Sequence, residues 1–390
     1  MRIALVDTNP KPKVYPLPLL KLGAWRKSQG DECVLFHNRL PEAGQFDAIW
    51  LTTTFTYDIP HSLGMAKEAR NRADAVLVGG VAATLLPEHF ERVGLEVHKG
   101  LVPDAEQFAP DYSLLGDTPE YSITHTSRGC VRKCSFCMVH RLEPDFAERE
   151  AWERDISPHT SKVLFYDNNW FAKGIEGLGR DVARIRALMD AGRITEIDFN
   201  QGLDCRLMTE EIADLLQGLP LRPVRFAFDG MQEDGYYQRA VEMMVAQGYD
   251  DFLAYVLYNF TDTPKDFYYR LRESVRLQTE LDNQSKTKLH VQSFPMCYQP
   301  ILEADSEKLY TGKHWTAQKK MGFRCIRNGF SGWRAIISAQ GGSTMSPMEE
   351  FEYWLGKDAD EFDRMLAYPR ICELTARKKG ALRMRRAATQ

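Results

Sequence analysis

The sequence predicts an α/β protein: a doubly wound parallel sheet at the N-terminus, a partial (β/α)6 barrel after it, and a C-terminal extension. Three observations predict this. Short β-rich apolar runs alternate with helically spaced segments through the first hundred residues, the alternation lapses over a proline-bearing stretch, and it then resumes for six strand-like runs, the first of which leads directly into a cysteine triplet. The divisions fall at 1–105 for the first domain, 106–120 for a linker, 121–300 for the barrel and 301–390 for the extension.

In the first domain, Ile3 to Val6, Glu32 to Phe36, Ala48 to Thr52 and Ala75 to Val78 read as strands, and Leu17 to Gln29 carries helical spacing. Gly79-Gly80 follows the fourth strand, as a tight turn or as a place where backbone approaches a ligand closely. Pro103, Pro110 and Pro119 mark the linker. The barrel strands are expected at Tyr121 to Thr126, Lys162 to Tyr166, Glu196 to Asn200, Val224 to Phe228, Phe252 to Tyr258 and Leu289 to Ser293. Helices are expected between them, among them Glu210 to Leu216, Asp234 to Ala246 and one capped by Thr263 with Pro264 in its first turn. Past Pro300 come Trp315, Trp333 and Trp354, with no trustworthy alternation.

Composition is that of an ordinary globular chain: 390 residues, 44% hydrophobic and 27% charged, with a formal net charge of -4. No apolar run is long enough to span a bilayer, and the chain opens on a strand rather than on a leader, so a cytoplasmic protein is expected with no membrane partner. The net charge exerts no general pull on nucleic acid, but the basic stretch Arg377 to Arg386 leaves phosphate contact open. Eight cysteines do not form a disulfide framework in a chain of this size.

The chemistry lies in Ser127-Arg128-Gly129-Cys130-Val131-Arg132-Lys133-Cys134-Ser135-Phe136-Cys137. The C-x3-C-x2-C spacing suits three corners of an iron-sulfur cube, with the fourth iron open to a small-molecule ligand. The same thiols also suit a zinc site, and an electron-transfer protein would close its cluster with a fourth cysteine. Cys205, Cys297, Cys325 and Cys372 contain no C-x2-C pair and read as dispersed structural thiols rather than as a second cluster. His125 and His140 flank the triplet, as an acid, as tuning groups or as ordinary polar residues.

This run, including the aromatic Phe136 before the third cysteine, resembles the signature of the radical S-adenosylmethionine (SAM) enzymes. The Rossmann-like first domain with its Gly-Gly strand end resembles in particular the class that carries a cobalamin-binding domain. That resemblance implies a 4Fe-4S cluster on Cys130, Cys134 and Cys137, SAM as cosubstrate, and an external reductant such as flavodoxin or ferredoxin. The chain departs from the class at Asp7-Thr8-Asn9-Pro10-Lys11-Pro12, where D-x-H-x-x-G would supply a cobalt-ligating histidine: Asn9 stands for the histidine and Pro12 for the glycine. A carboxamide is a poor cobalt ligand, so bound cobalamin is expected to lack a protein imidazole.

The resemblance also implies roles at strand ends. Asp167, Asn168 and Asn169 would receive the methionyl ammonium of SAM, although an Asx turn uses the same residues. Arg206 would grip the methionyl carboxylate, or sit on a helix start; Asp229 would meet the ribose hydroxyls, or cap a helix. Leu257 and Tyr258 would line the adenine site, with Cys297 and Tyr298 near the barrel mouth. Reductive SAM cleavage to a 5'-deoxyadenosyl radical is the implied activity, with RNA, a peptide or a small metabolite as substrate.

Overall fold

The computed structural model describes residues 1–11, 14–285, 287–302, 310–327 and 345–368. Pro12, Trp333, Cys372 and the basic stretch 377–386 lie outside the described residues. Contacts divide the chain into two compact units. The first comprises Met1–Leu203, Leu219–Arg222 and the described part of 299–310; the second comprises Asp204–Gly218, Pro223–Tyr298 and the described residues from Thr311 onward.

The first unit opens with a five-stranded, all-parallel sheet built from β1 (Arg2–Asp7), β2 (Glu32–His37), β3 (Ala48–Thr52), β4 (Ala75–Gly79) and β5 (Glu96–Val97), in the order β2-β1-β3-β4-β5. β1 is an interior strand, between β2 and β3, and its Ile3, Ala4, Leu5 and Val6 have no exposed surface. Because successive side chains point to opposite faces, a strand covered on both sides must be apolar throughout. Ala4 and Val6 pack with Ile49, Leu51 and the helix Ile59–Ala69 on one face. Ile3 and Leu5 pack with Leu19, Leu20 and Ala48 on the other. The expected strands are all present; β5, two residues long, was too short to carry a periodic signal.

The linker segment is well anchored. Tyr112 is buried in the second of these cores, and its hydroxyl accepts the Ile123 N–H at 2.8 Å. It thereby joins the first sheet to a second parallel sheet in the same unit, of β6 (Ser122–Thr124), β9 (Lys162–Phe165) and β10 (Glu196–Phe199), in the order β10-β9-β6. The strand expected at Tyr121 to Thr126 stops at Thr124, and the chain re-forms two residues later as β7 (Ser127–Arg128), paired antiparallel with β8 (Ala147–Glu148). This short ladder closes the base of a loop that holds all three clustered cysteines.

The second unit is built on the parallel sheet β11 (Val224–Ala227), β12 (Asp251–Tyr258) and β13 (His290–Cys297). The last strand runs four residues beyond the expected Ser293. Helix Pro264–Leu281 covers the sheet; Thr263 caps it reciprocally with Asp266, and Pro264 begins it. The C-terminal extension adds helices Pro347–Leu355 and Ala359–Ala367. Trp315 is buried between Tyr258 and Phe267, and its indole N–H donates to the Asp262 carbonyl at 3.1 Å. No helix among the described residues is long and apolar enough to cross a membrane.

Candidate functional site

The cysteine loop is fixed at its root by Asp167, one residue past the expected second barrel strand. Its carboxylate accepts the Thr126 and Ser127 N–H groups and both hydroxyls, at 2.7 to 3.1 Å. Asp167 is 2% exposed, so these bonds form away from competing water. The adjoining Gly129 has φ +77, and a Cβ there would stand 2.2 Å from the Asp145 carbonyl oxygen. Glycine alone lets the chain turn into the loop at this point.

Glu143, at the far side of the loop, ties three pieces together. One carboxylate oxygen accepts from Arg128 Nη1 at 2.6 Å, and the other from the Gly129 N–H at 2.9 Å and from Asn168 Nδ2 at 2.7 Å. Arg128 continues through Glu106, at 3.0 Å, to the buried Lys21 of helix Leu17–Ser28, at 3.2 Å. The first sheet's covering helix is thus linked by alternating charges to the residue two before Cys130.

N–H groups point at the sulfurs themselves. Cys130 Sγ receives the Arg132 backbone N–H at 3.4 Å and Asn169 Nδ2 at 3.6 Å; Cys137 Sγ receives the Val139 N–H at 3.5 Å. Phe136 lies half-buried between Cys134 and Cys137. Among the described residues no three His, Cys, Asp or Glu side chains converge as ligands of one metal ion. Three thiols on one short loop are a donor set that an iron-sulfur cube can use, one thiolate on each of three corners.

Asp167, Asn168 and Asn169, expected around the SAM ammonium, each direct the side chain at the cysteine loop. Asp167's acceptor capacity is used by Thr126 and Ser127, Asn168 donates to Glu143, and Asn169 donates to Cys130. The neighbouring His125 is 3% exposed with no partner for Nε2. Burial, reinforced by Arg128, Arg149 and Lys21, holds its pKa well below the usual imidazole value, so it is neutral.

In the second unit, Arg206 does not sit free on a helix start. It donates to Asp204 through Nε at 2.6 Å and Nη2 at 3.2 Å, and Nη1 lies 3.0 Å from Glu233. Glu233 in turn accepts the Gly230 N–H at 2.7 Å. Asp229 precedes this turn, and its Oδ1 is sealed with no hydrogen-bond partner. Burial, then the nearby Glu233, pushes the Asp229 carboxyl up to about 7 against the pull of Arg270 and Arg206. Arg206 also lines a cleft of about 460 Å³ with Cys205, Met208, Tyr236 and Arg239.

Arg270 was not legible as part of this site. From helix Pro264–Leu281 its Nη1 donates to the carbonyls of Phe228, Asp229 and Leu257 at 2.8 to 2.9 Å, holding the ends of β11 and β12 together. The available signal was an arginine on the buried stripe that includes Phe267, Ser274 and Leu277.

Leu257 and Tyr258 face opposite sides of β12. The Tyr258 ring packs on Phe267, Trp315 and Phe323 at centroid distances of 4.8 to 5.2 Å, so the aromatic core takes it and Leu257 alone of the pair faces away from that core. Cys205 is buried and donates to the Ala227 carbonyl at 3.3 Å, while Cys297 receives Asn259 Nδ2 at 3.6 Å; Cys325 belongs to no metal-binding group among the described residues. At the end of β1, Asn9 Oδ1 accepts the Lys11 N–H at 3.0 Å in an Asx-type turn.

No family model matches the chain. Among curated relatives, the ribosomal protein uS12 methylthiotransferase RimO of Stenotrophomonas maltophilia (strain R551-3) is 26% identical over 194 residues, 41% of this chain and 42% of the relative. RimO of Xanthomonas campestris pv. campestris (strain 8004) is 28% identical over 109 residues, 23% of this chain and 24% of the relative. The chain thus matches less than half the length of these relatives. Two solved structures of the radical S-adenosylmethionine methyltransferase TsrM from Kitasatospora setae share the fold. The one with tryptophan substrate and the SAM analogue aza-SAM has TM-score 0.55 at 16% identity, covering 71% of each chain. The one with cobalamin and a 4Fe-4S cluster has TM-score 0.57 at 14% identity, covering 83% of this chain and 78% of that one.

Proposed function

We propose that this chain is a SAM-cleaving enzyme of the radical SAM type, with a 4Fe-4S cluster on Cys130, Cys134 and Cys137, a reading that the partial similarity to RimO and the fold shared with TsrM support. The observation that carries this reading is the cysteine loop: three thiols on a clamped hairpin, with N–H groups on two of their sulfurs. Bound there, the cluster would supply the electron that splits SAM into methionine and a 5'-deoxyadenosyl radical able to take hydrogen from a substrate.

The chain's own residues hold and shield. Asp167 and Glu143 fix the two sides of the loop, and the half-buried Phe136 would lie beside the bound cluster. Arg206, its Nε and Nη2 on Asp204 and its Nη1 on Glu233, would meet the methionyl carboxylate through its remaining guanidinium N–H groups. Asp229 presents a carboxyl to the ribose hydroxyls, and Leu257 an apolar surface to adenine.

The reaction we favour is methylation or a related modification of RNA, a peptide or a small metabolite. The relatives' name places their own activity on ribosomal protein uS12, and one TsrM structure holds tryptophan as its substrate. We further propose divisions at 1–105, 106–120, 121–300 and 301–390, a cytoplasmic location, and a flavodoxin or ferredoxin as reductant. Any cobalamin on the first domain would carry no imidazole from position 9, where Asn9 already caps its own turn.

Reconstitution without oxygen tests the reading. Brown iron-sulfur absorbance together with 5'-deoxyadenosine formation from SAM and reductant is expected. A colourless zinc-loaded protein would overturn it, and so would a cluster that leaves SAM intact.

A further inference from the structure

Asn169 was expected to accept from the SAM ammonium, yet its amide nitrogen is turned toward sulfur, 3.6 Å from Cys130 Sγ. We propose that Asn169 is a positioning residue that raises the reduction potential of the cluster through this N–H···S bond, an inference that rests on reading Cys130 as a cluster ligand.

The local structure holds the amide in place. Asn169 is 3% exposed, and its backbone is fixed by its main-chain carbonyl, which accepts the Ala172 N–H at 3.2 Å at the start of a 3-10 turn. Its neighbours on both sides are anchored: Asn168 on Glu143 at 2.7 Å, and Trp170 on Asp181 at 2.9 Å with its ring stacked on Phe199 at 4.1 Å. Such a side chain loses little further freedom in making the bond.

Reduction adds negative charge to a cluster and to the sulfurs that carry it. An N–H dipole aimed at a thiolate stabilises that added charge more than it stabilises the oxidised form, so the potential rises. Low solvent access strengthens the effect. The Arg132 N–H already serves the same sulfur at 3.4 Å, so Cys130 carries a backbone donor that no substitution removes and a side-chain donor that one does. The amide also fixes which way Sγ faces, because two donors converge on it from different segments of the chain.

Asn169→Leu, close in size but without N–H groups, and Asn169→Ala are the variants to test in the full-length reconstituted protein. Iron content, thermal unfolding, cluster midpoint potential and SAM affinity are measured for each beside the parent chain. Both variants are expected to keep the parent's iron content and SAM affinity and to show a midpoint potential displaced to more negative values. An unchanged or raised potential at full iron content would overturn the proposal. Weakened SAM binding at unchanged potential would do the same, and would return Asn169 to the ammonium role. Loss of iron from both variants would replace tuning with a purely structural role. A parent chain that takes up no iron would instead defeat the cluster reading itself, which keeps the two failures distinct.

Discussion

Asp167 accepts both the N–H and the hydroxyl of Ser127, each at 2.7 Å, and so fastens the end of one strand to the root of the cysteine loop on another. A carboxylate is suited to this because it is acceptor-only, and four donors from Thr126 and Ser127 meet it. Asp167→Ala would leave those donors buried without a partner. It is expected to cost about 3 kcal/mol or more in denaturant unfolding, since single hydrogen bonds to charged groups contribute about 1.5 to 3 kcal/mol. Iron retention after reconstitution should fall with it, while SAM affinity per remaining cluster should not. A variant with parental stability and iron would show that the clasp is dispensable.

Substituting Cys130, Cys134 or Cys137 by Ala is expected to abolish stable iron binding and SAM cleavage, because two thiolates are too few to hold the cube. Gly129→Ala should weaken iron retention as well, by backbone strain rather than by loss of a ligand: the added Cβ would meet the Asp145 carbonyl at 2.2 Å in a left-handed conformation. Iron per chain after desalting measures all four. Full iron in any cysteine variant would contradict the assignment.

The fold was largely legible because its signals are local. Strands buried on both faces must be apolar throughout, so Ile3 to Val6 announced an interior strand of a parallel sheet without any knowledge of their neighbours. The cysteine triplet was legible for the same reason, as a spacing within one loop. Glu143, Glu106 and Arg270 were not, because each acts through partners distant in sequence and looks like an ordinary surface charge when read alone. Tyr258 shows a third kind of failure: naming its strand did not fix its face, and a one-residue step separates Leu257 from the aromatic core. The side chains of the strand-end triplet Asp167-Asn168-Asn169 bind the loop in front of them, which spacing alone cannot reveal.

Arg206→Ala should have two separable effects. Loss of a charge-assisted contact to the SAM carboxylate corresponds to about 1.5 to 3 kcal/mol, roughly a ten- to hundredfold fall in affinity. The same change strips Asp204 and Glu233 of their cation, and their side chains are only 7% and 4% exposed, so stability should fall as well. Arg206→Lys keeps a charge but not the fork, and should recover more stability than affinity. Isothermal titration with SAM and thermal unfolding separate the two, and unchanged affinity in Arg206→Ala at intact iron content would remove Arg206 from the SAM site.

Asp229 gives the second unit a pH dependence with a definite sign. Its carboxyl is raised from the ordinary 3.8 to about 7 by burial and by Glu233, so between those values the folded chain holds a proton that the unfolded chain has released. Stability contributed by this group is therefore present in full below pH 3.8, declines as pH rises through 7, and is flat above. Asp229→Asn cannot titrate. The variant should gain on the parent progressively across that window, toward a ceiling of about 4 kcal/mol at neutral pH and above. Urea unfolding at a series of pH values decides the matter: parallel stability profiles for parent and Asp229→Asn would show that Asp229 is ionised in the folded state throughout. A ribose contact through the same carboxyl would make SAM affinity vary over the same pH window in the parent and not in the variant.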